Sequence, residues 1–154
     1  NVDVAKGIDD TLLILRPKLG DIEVIREFAD IAPITAFGSQ LNQVWTNLID
    51  NAIDAIRDAG VSGGRITIGV ADAEDRVAVT VANNGPPIPP AVMDRIFEAF
   101  YTTKEPGKGT GLGLDTVYNI VVTQHRGSID VASDDTATVF AVHLPRDQGE
   151  SQDP

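Results

Sequence analysis

The sequence NNGPPIPPAVMDRIFEAFYTTKEPGKGTGLGL, residues Asn83 to Leu114, decides the fold because it holds five of the fourteen glycines and five of the nine prolines. Glycine and proline at this density predict a loop rather than a helix or a strand. The last six residues, GTGLGL at 109–114, alternate glycine with threonine or leucine just before an apolar helical pattern. Backbone N–H groups would converge there at a helix N-terminus, where anions are favoured. The stretch therefore predicts a ligand loop that holds a phosphate.

The composition predicts one globular domain. The 154 residues are 42% hydrophobic, and a chain of this length buries roughly 70% of its unfolded surface. No apolar run reaches the ~18 residues of a membrane span and no signal segment opens the chain, so we expect a cytoplasmic protein. Without cysteine there are no thiolate metal sites, and the scattered His125 and His143 do not suggest a zinc site. Any bound metal is expected to have oxygen ligands.

The charge balance limits the partners. Twelve Lys and Arg against 23 Asp and Glu give a formal net charge of -11, which repels nucleic acid and anionic membranes. A polyanionic ligand would be repelled by this net negative charge unless positive charge lies close to it. The segment from Gly85 to Leu114, which is neutral overall, and a divalent cation could reduce the repulsion. Because the chain begins at Asn1 without Met and ends in GESQDP, we expect an excised domain over residues 1–146 and a polar disordered tail over 147–154.

Residue patterns predict the order of helices and strands. Apolar periodicity predicts helices over Val4–Leu19, interrupted near Pro17, over Gln40–Ala59, with Ser39 as N-cap, and over Leu114–Gln124. Beta-branched runs predict strands over Ile22–Phe28, Arg65–Ala71, Arg76–Val81, Ser128–Ala132 and Thr138–Leu144. Hairpins dominate the strand connections. The predicted fold class is therefore α+β, a two-layer α/β sandwich with a mixed, mostly antiparallel sheet and helices on one face.

The long central helix carries an unusual stripe of polar side chains. One half of its helical wheel is apolar, and the flanking stripe contains Gln40, Gln43, Asn47, Asn51, Asp54 and Asp58. Asparagine is a poor residue within a helix, and two of them stand four residues apart. The stripe is either a solvated face or an oxygen-ligand site, since Mg²⁺ prefers one or two protein oxygens with water and substrate phosphates.

Four strings in order resemble a known family. NQVWTNLIDNAIDAI, VANNGPPIP, RIFEAFYTTK and GKGTGLGL look like the N, G1, F and G2 boxes of the ATP-binding catalytic domain of sensor histidine kinases. That domain belongs to the GHKL superfamily, shared with gyrase B, the heat-shock chaperone and MutL. The resemblance covers about Asn1 to Pro145. It implies a Bergerat-type fold that binds Mg²⁺-ATP and donates the γ-phosphoryl group to a histidine on a separate dimerisation domain.

The resemblance implies roles for residues of the helix and the G1 box. Asn51 would ligate Mg²⁺, Asn47 would support the phosphates, and Asp54 would line the same site. Asn83 stands where the family has an Asp that accepts the adenine amino proton, and Thr138 would support it or serve only as a strand residue. The floor of the adenine pocket would be formed by Gly85 and Ile88, and Pro87, another predicted ATP-binding residue, would stiffen the leading hinge of the lid.

The resemblance also implies a lid and a phosphate end. The lid would contain Thr102, Thr103, Lys104 and Lys108, although the two lysines could instead simply be solvated. Phe97 and Phe100 would anchor its base or pack in the core. The phosphate end would comprise Gly109, Thr110, Gly111, Leu112, Gly113 and Leu114. His125, in a position where the family often has His-Gly-Gly, is interpreted as a turn residue.

Two departures from the family pattern concern function. The G1 box has Asn83 and Pro87 where the family has Asp and Gly, and an asparagine bond to adenine would be weaker than a charge-assisted one by about 1 kcal/mol. Asn47 stands where gyrase-type relatives carry a general base, so hydrolysis is not expected. No catalytic residue and no phosphoacceptor histidine is identifiable in this chain.

The expected partners are the dimerisation domain of the same kinase and, through it, a response regulator of a two-component system. We expect the isolated domain to be a monomer. Two alternatives stay open. One is a degenerate nucleotide-binding or interaction module with weak or no kinase activity, and the other is a Ser kinase of the anti-sigma type.

Overall fold

The computed structural model describes residues 1–97 and 113–147. The helices are α1 (Val4–Ile14), α2 (Arg16–Leu19), α3 (Gly38–Asp58), α4 (Pro90–Met93) and α5 (Gly113–Tyr118), which continues as a π-helix over Asn119–Gln124. The strands are β1 (Glu23–Phe28), β2 (Arg65–Ala73), β3 (Arg76–Asn83), β4 (Ser128–Ser133) and β5 (Thr138–Pro145). All five predicted strands are present. The prediction missed the single turn of α4, which lies within the segment expected to be loop.

The five strands form one mixed sheet in the order β1-β2-β3-β5-β4. Only β1 and β2 run parallel, and the other three pairs are antiparallel. The predicted hairpin between β2 and β3 closes at the pair Ala73 and Arg76, with Glu74 at a φ of 62° in the turn. The α+β class and the mostly antiparallel sheet are confirmed.

One face of the sheet is buried against the helices. Along β3 the buried residues Val77, Val79 and Val81 alternate with half-buried ones, as expected for a strand with one face in the core. Helix α3 covers this face with eight buried side chains, among them Trp45 and Leu48. The predicted apolar half of the helix is therefore confirmed, although Ala55 is only half-buried. The core and the polar stripe lie on the same helix, so packing of the core positions the stripe.

The start of α3 differs from the prediction, whereas the predicted interruption of the first helix near Pro17 is confirmed. Helix α3 begins at Gly38 with Phe37 as its N-cap, so Ser39 lies inside the helix and the predicted cap is wrong. Phe37 is extended there, and its N–H donates to Nε2 of His125 at 3.1 Å, which fixes the chain before the first turn. The first helix breaks at Leu15, because Pro17 starts the separate turn of α2 within its first two positions.

The chain leaves the π-helix through a tightly packed turn. His125 is completely buried, and its Nδ1 lies 2.8 Å from the carbonyl of Ile120, so it is a turn residue that also holds two segments together. Gly127 follows, and a Cβ built there would lie 2.1 Å from the carbonyl oxygen of His143. Only glycine allows the backbone of β5 to come this close.

Candidate functional site

The buried face of the sheet ends in a row of polar side chains. Asn83 of β3 pairs with Thr138 of β5, which also pairs with Ser133 of β4. Asn83 and Thr138 are in phase with the buried residues of their strands and are themselves buried. On its other side Asn83 pairs with Ile66. Sheet faces of this kind are normally apolar throughout, so buried polar groups at one end indicate a site.

Asn83 shapes the loop that follows it. Its Oδ1 accepts a hydrogen bond from the N–H of Gly85 at 2.9 Å, which closes an Asx turn directly after the strand. A Cβ on Gly85 would lie 2.9 Å from that oxygen and 3.3 Å from the carbonyl group of Ala55. Glycine is therefore required for the loop to pass against the backbone of α3.

The far end of the row holds the next part of the loop. The N–H of Ile88 donates to Ser133 Oγ at 2.8 Å, and Ser133 Oγ lies 2.7 Å from Thr138 Oγ1. Ile88 is half-buried, whereas Pro86 and Pro87 between the two anchor points are exposed. The G1 segment is thus attached to the sheet at Gly85 and at Ile88, with the two prolines arching outward.

The polar stripe of α3 faces the start of α5. Asn47 donates from Nδ2 to the carbonyl oxygen of Gly113 at 3.1 Å, which leaves its Oδ1 available. Asn51, one turn later, is half-buried, and its amide forms no hydrogen bond within residues 1–97 and 113–147. Asn47 therefore lies beside the first residue of α5, where the glycine-rich string ends, and Asn51 follows one turn later on the same stripe.

An ion pair borders the stripe. Lys18 of α2 contacts Asp50 and lies 3.2 Å from Asp54, so two carboxylates of α3 share one ammonium group. Burial disfavours the charged form of Lys18, but the hydrogen bonds and charges of Asp50 and Asp54 outweigh this and raise the pKa of Lys18. Asp54 is thus at the predicted position, but much of its charge is compensated by the protein itself.

Comparison with known proteins shows the family to which the chain belongs. Residues 38–148 match the model of the family described as histidine kinase-, DNA gyrase B-, and HSP90-like ATPase. The chain belongs to this family. The predicted resemblance is confirmed. The matched residues include both the row of polar side chains at the end of the sheet and the polar stripe of α3.

Relatives and solved structures agree on the histidine kinase branch of this ATPase family. The C4-dicarboxylate transport sensor protein DctB of Rhizobium meliloti (strain 1021) is 35% identical over 144 residues, covering 90% of this chain but 22% of that protein. The nucleotide-free catalytic domain of histidine kinase ThkA superposes with a TM-score of 0.82 at 30% identity, covering 95% of this chain and 96% of that domain. Full-length ShkA in complex with AMPPNP gives 0.78 at 25% identity, covering 94% and 30%. This chain therefore spans about a fifth of the length of DctB and nearly all of the ThkA catalytic domain.

The oxygen donors of this ATPase fold suit Mg²⁺ only together with a triphosphate. No cluster of three or more His, Cys, Asp or Glu side chains that could hold a metal occurs in the described part of the chain. Within residues 1–97 and 113–147 the amide of Asn51 and the Oδ1 of Asn47 form no hydrogen bond, so both can offer a neutral oxygen to a metal, whereas Asp54 is paired with Lys18. Mg²⁺ accepts one or two protein oxygens when phosphates and water complete its shell. The residues present fit that arrangement.

Several predicted site residues lie outside the described residues. They are Phe100, Thr102, Thr103, Lys104, Lys108, Gly109, Thr110, Gly111 and Leu112. Of the predicted phosphate end, Gly113 and Leu114 are described and begin α5. Phe97 packs against Phe140 and Tyr118, with ring centroids 6.3 and 5.8 Å apart, which supports core packing at the base of the predicted lid.

Sequence reasoning missed two residues of this region. The sequence predicts a strand that ends at Ala132, one residue before Ser133. In the structure Ser133 belongs to β4 and continues the alternation of Ile129 and Val131, so this spacing could have identified Ser133 as an inward-facing residue. Asn84 accepts from the N–H of Arg65 at 2.7 Å and donates to the carbonyl of Gly63 at 3.0 Å. Adjacent asparagines therefore have different tasks, since Asn84 ties the loop to β2 while Asn83 faces the helices.

Proposed function

We propose that the chain binds Mg²⁺-ATP between α3 and the polar end of the sheet and donates the γ-phosphoryl group to a histidine of a separate dimerisation domain. One observation carries the proposal. Asn83 at the sheet end and Asn47 on α3 contact the backbone at Gly85 and Gly113, which belong to the two motif segments that the family resemblance expects to enclose a nucleotide. The AMPPNP complex of the similar protein ShkA supports the same type of ligand.

The base would lie at the sheet end. Asn83, Thr138 and Ile88 offer a buried polar edge beside an apolar side chain, which suits a flat heteroaromatic ring with polar edge atoms. Gly85 leaves room because any side chain would meet Ala55. We propose that Pro87 stiffens the exposed arch above this position, because its ring fixes φ.

The phosphates would lie beside α5. The amide oxygen of Asn51 would ligate the Mg²⁺ that accompanies the phosphates, and the Oδ1 of Asn47 would face the same ion or its water. Gly113 positions Asn47 by accepting its amide proton. Bound Mg²⁺ would neutralise charge on the transferring phosphoryl group. Because the ammonium group of Lys18 is paired with the carboxylate of Asp54, α3 would repel the triphosphate less than its acidic residues alone suggest. We propose that residues 102–104 and 108–114 close over the phosphates, with Lys104 and Lys108 supplying positive charge.

We assign no general base to the chain. Asn47 cannot take a proton from water, so the residues would position ATP for in-line transfer rather than hydrolyse it. The acceptor histidine is proposed to belong to the dimerisation domain of the same kinase, with a response regulator as the next acceptor. No helix within the described residues is long and apolar enough to cross a membrane. We propose a cytoplasmic location, as ATP supply requires.

The test is phosphoryl transfer. The chain, radiolabelled ATP and Mg²⁺ would be mixed with the dimerisation segment of the same kinase, and the expected product is an acid-labile phosphohistidine on that segment. Label that appears on serine would support the anti-sigma type of Ser kinase instead. ATP binding without any transfer would support the non-catalytic module, and either result would contradict the proposal.

A further inference from the structure

The hydroxyl group of Ser133 joins the loop after β3 to the buried end of β5. Its Oγ accepts a hydrogen bond from the N–H of Ile88 at 2.8 Å and lies 2.7 Å from Thr138 Oγ1. Thr138 is buried, and Ile88 and Ser133 are half-buried. One side chain at the last residue of β4 therefore holds two of the residues that face the proposed position of the base.

Both contacts of Ser133 fit the hydrogen-bonding capacity of a single hydroxyl. The N–H of Ile88 occupies one of its two lone pairs, which leaves the second lone pair and the proton. Ser133 can therefore either donate to Thr138 or accept from it. In both directions the bond restricts where Thr138 directs its remaining hydrogen-bonding capacity.

The hairpin between β4 and β5 keeps Ser133 in this position. Ser133 and Thr138 form the last residue pair of the two antiparallel strands before the turn. Within the turn, one carboxylate oxygen of Asp134 accepts from the N–H groups of Thr136 and Ala137 at 2.7 and 3.0 Å. The turn is closed by its own side chain, so the hydroxyl of Ser133 is presented from a fixed backbone.

We propose that Ser133 is a positioning residue for the nucleotide base, which acts through Ile88 and Thr138 and does not itself touch the base. The inference rests on the proposed function, which places the base beside these two residues. Without the hydroxyl of Ser133, the N–H of Ile88 loses its acceptor and the side chain of Thr138 loses its partner. Binding would then have to order both groups, and this cost lowers the affinity relative to a site that is already ordered.

The test is calorimetric titration of the 154-residue chain and its variants with Mg²⁺-ATP. Ser133→Ala should weaken binding about tenfold, because two hydrogen bonds that arrange the site are lost. Ser133→Cys, which replaces the hydroxyl by a weakly bonding thiol, should weaken binding in the same direction. Ser133→Thr keeps a hydroxyl and should bind about as tightly as the wild type. Ser128→Ala is the matched control, because Ser128 belongs to the same strand but is exposed, and it should leave the affinity unchanged.

A second measurement separates positioning of the base from stabilisation of the hairpin. Thr138→Val removes one of the two groups through which Ser133 acts, so Ser133→Ala should weaken binding by a smaller factor in a Thr138→Val chain than in the wild type. Asn51 lies on α3 at the proposed phosphate end, so the factor should be unchanged in an Asn51→Ala chain. Circular dichroism at the titration temperature checks that every variant is folded.

The outcomes separate this inference from the proposed function. Equal affinity of Ser133→Ala and the wild type would overturn the inference, and so would binding by Ser133→Thr that is as weak as binding by Ser133→Ala. The same loss in the Thr138→Val and Asn51→Ala chains would also overturn it, because Ser133 would then not act through Thr138. Each of these results leaves the nucleotide site itself intact. Failure of the wild-type chain to bind Mg²⁺-ATP would instead overturn the proposed function.

Discussion

The side-chain amide of Asn47 donates to the backbone carbonyl of Gly113 at 3.1 Å, joining the middle of α3 to the first residue of α5. The two residues are 66 positions apart in the chain, and the entire ligand loop lies between them. The bond therefore sets the distance between the polar stripe of α3 and the point where the glycine-rich string becomes a helix.

Replacing Asn47 by alanine should weaken Mg²⁺-nucleotide binding about tenfold and lower the free energy of unfolding by about 1 kcal/mol, because the hydrogen bond to Gly113 and one metal-facing oxygen are lost. Calorimetry and urea unfolding would measure the two effects. The control is Gln43→Ala, an exposed polar residue one turn earlier. Equal nucleotide affinity in both variants would show that Asn47 only fills the helix surface.

Replacing His125 by alanine should lower the free energy of unfolding by about 3 kcal/mol, because the buried N–H of Phe37 and carbonyl of Ile120 lose their partner. The two contacts also require a neutral ring protonated on Nδ1, which nitrogen NMR chemical shifts would reveal. His143→Ala, on the half-buried outer side of β5, should have a much smaller effect. A ring protonated on Nε2 would contradict the assigned contacts.

Replacing Gly127 by alanine should lower the free energy of unfolding by at least about 2 kcal/mol, because the new Cβ collides with the carbonyl of His143. Thermal unfolding would measure the loss. Gly38→Ala is the matched substitution, since its Cβ would meet only Val2 at an ordinary 3.6 Å. Similar melting temperatures for the two variants would argue against the close approach of the strands.

Replacing Lys18 by methionine should lower the free energy of unfolding by less than about 1 kcal/mol, because Lys18 is 43% exposed and solvent screens its charge. The pKa of Lys18 is raised in the folded state, so its contribution is complete below the unfolded pKa near 10.5 and is lost as pH rises through the folded pKa. Urea unfolding at neutral and strongly alkaline pH would measure it. Lys6→Met removes a more exposed pair and is the control. A stability difference that persists unchanged in strong alkali would contradict the ion-pair assignment.

The regular elements were predictable because their causes are local. The apolar half of α3 follows from the helical period and β3 from its run of β-branched residues, and both predictions were confirmed. The start of α3 was not predicted correctly, because it depends on the contact between Phe37 and His125, which are 88 positions apart in the chain. Long-range contacts of this kind leave no periodic signal in the sequence.

The sequence predicts the residue types of the candidate site, but it predicts their hydrogen bonds less well. Motif strings indicated Asn47, Asn51 and Asn83, and their proposed roles remain predictions. The register that brings Ser133 beside Thr138 and the turn that engages the oxygen of Asn83 appear only in three dimensions. The role of this oxygen toward adenine stays a prediction.

The most direct test of the nucleotide site is a calorimetric titration of the wild-type chain and of Asn51→Ala with ATP, both with Mg²⁺ and with excess chelator. Asn51 has no bonded partner among the described residues, so alanine should leave the circular dichroism spectrum and the melting temperature unchanged. We expect binding that weakens at least about tenfold both in the variant and without Mg²⁺. An Asn51→Ala chain that binds Mg²⁺-ATP as tightly as the wild type would contradict the proposed site.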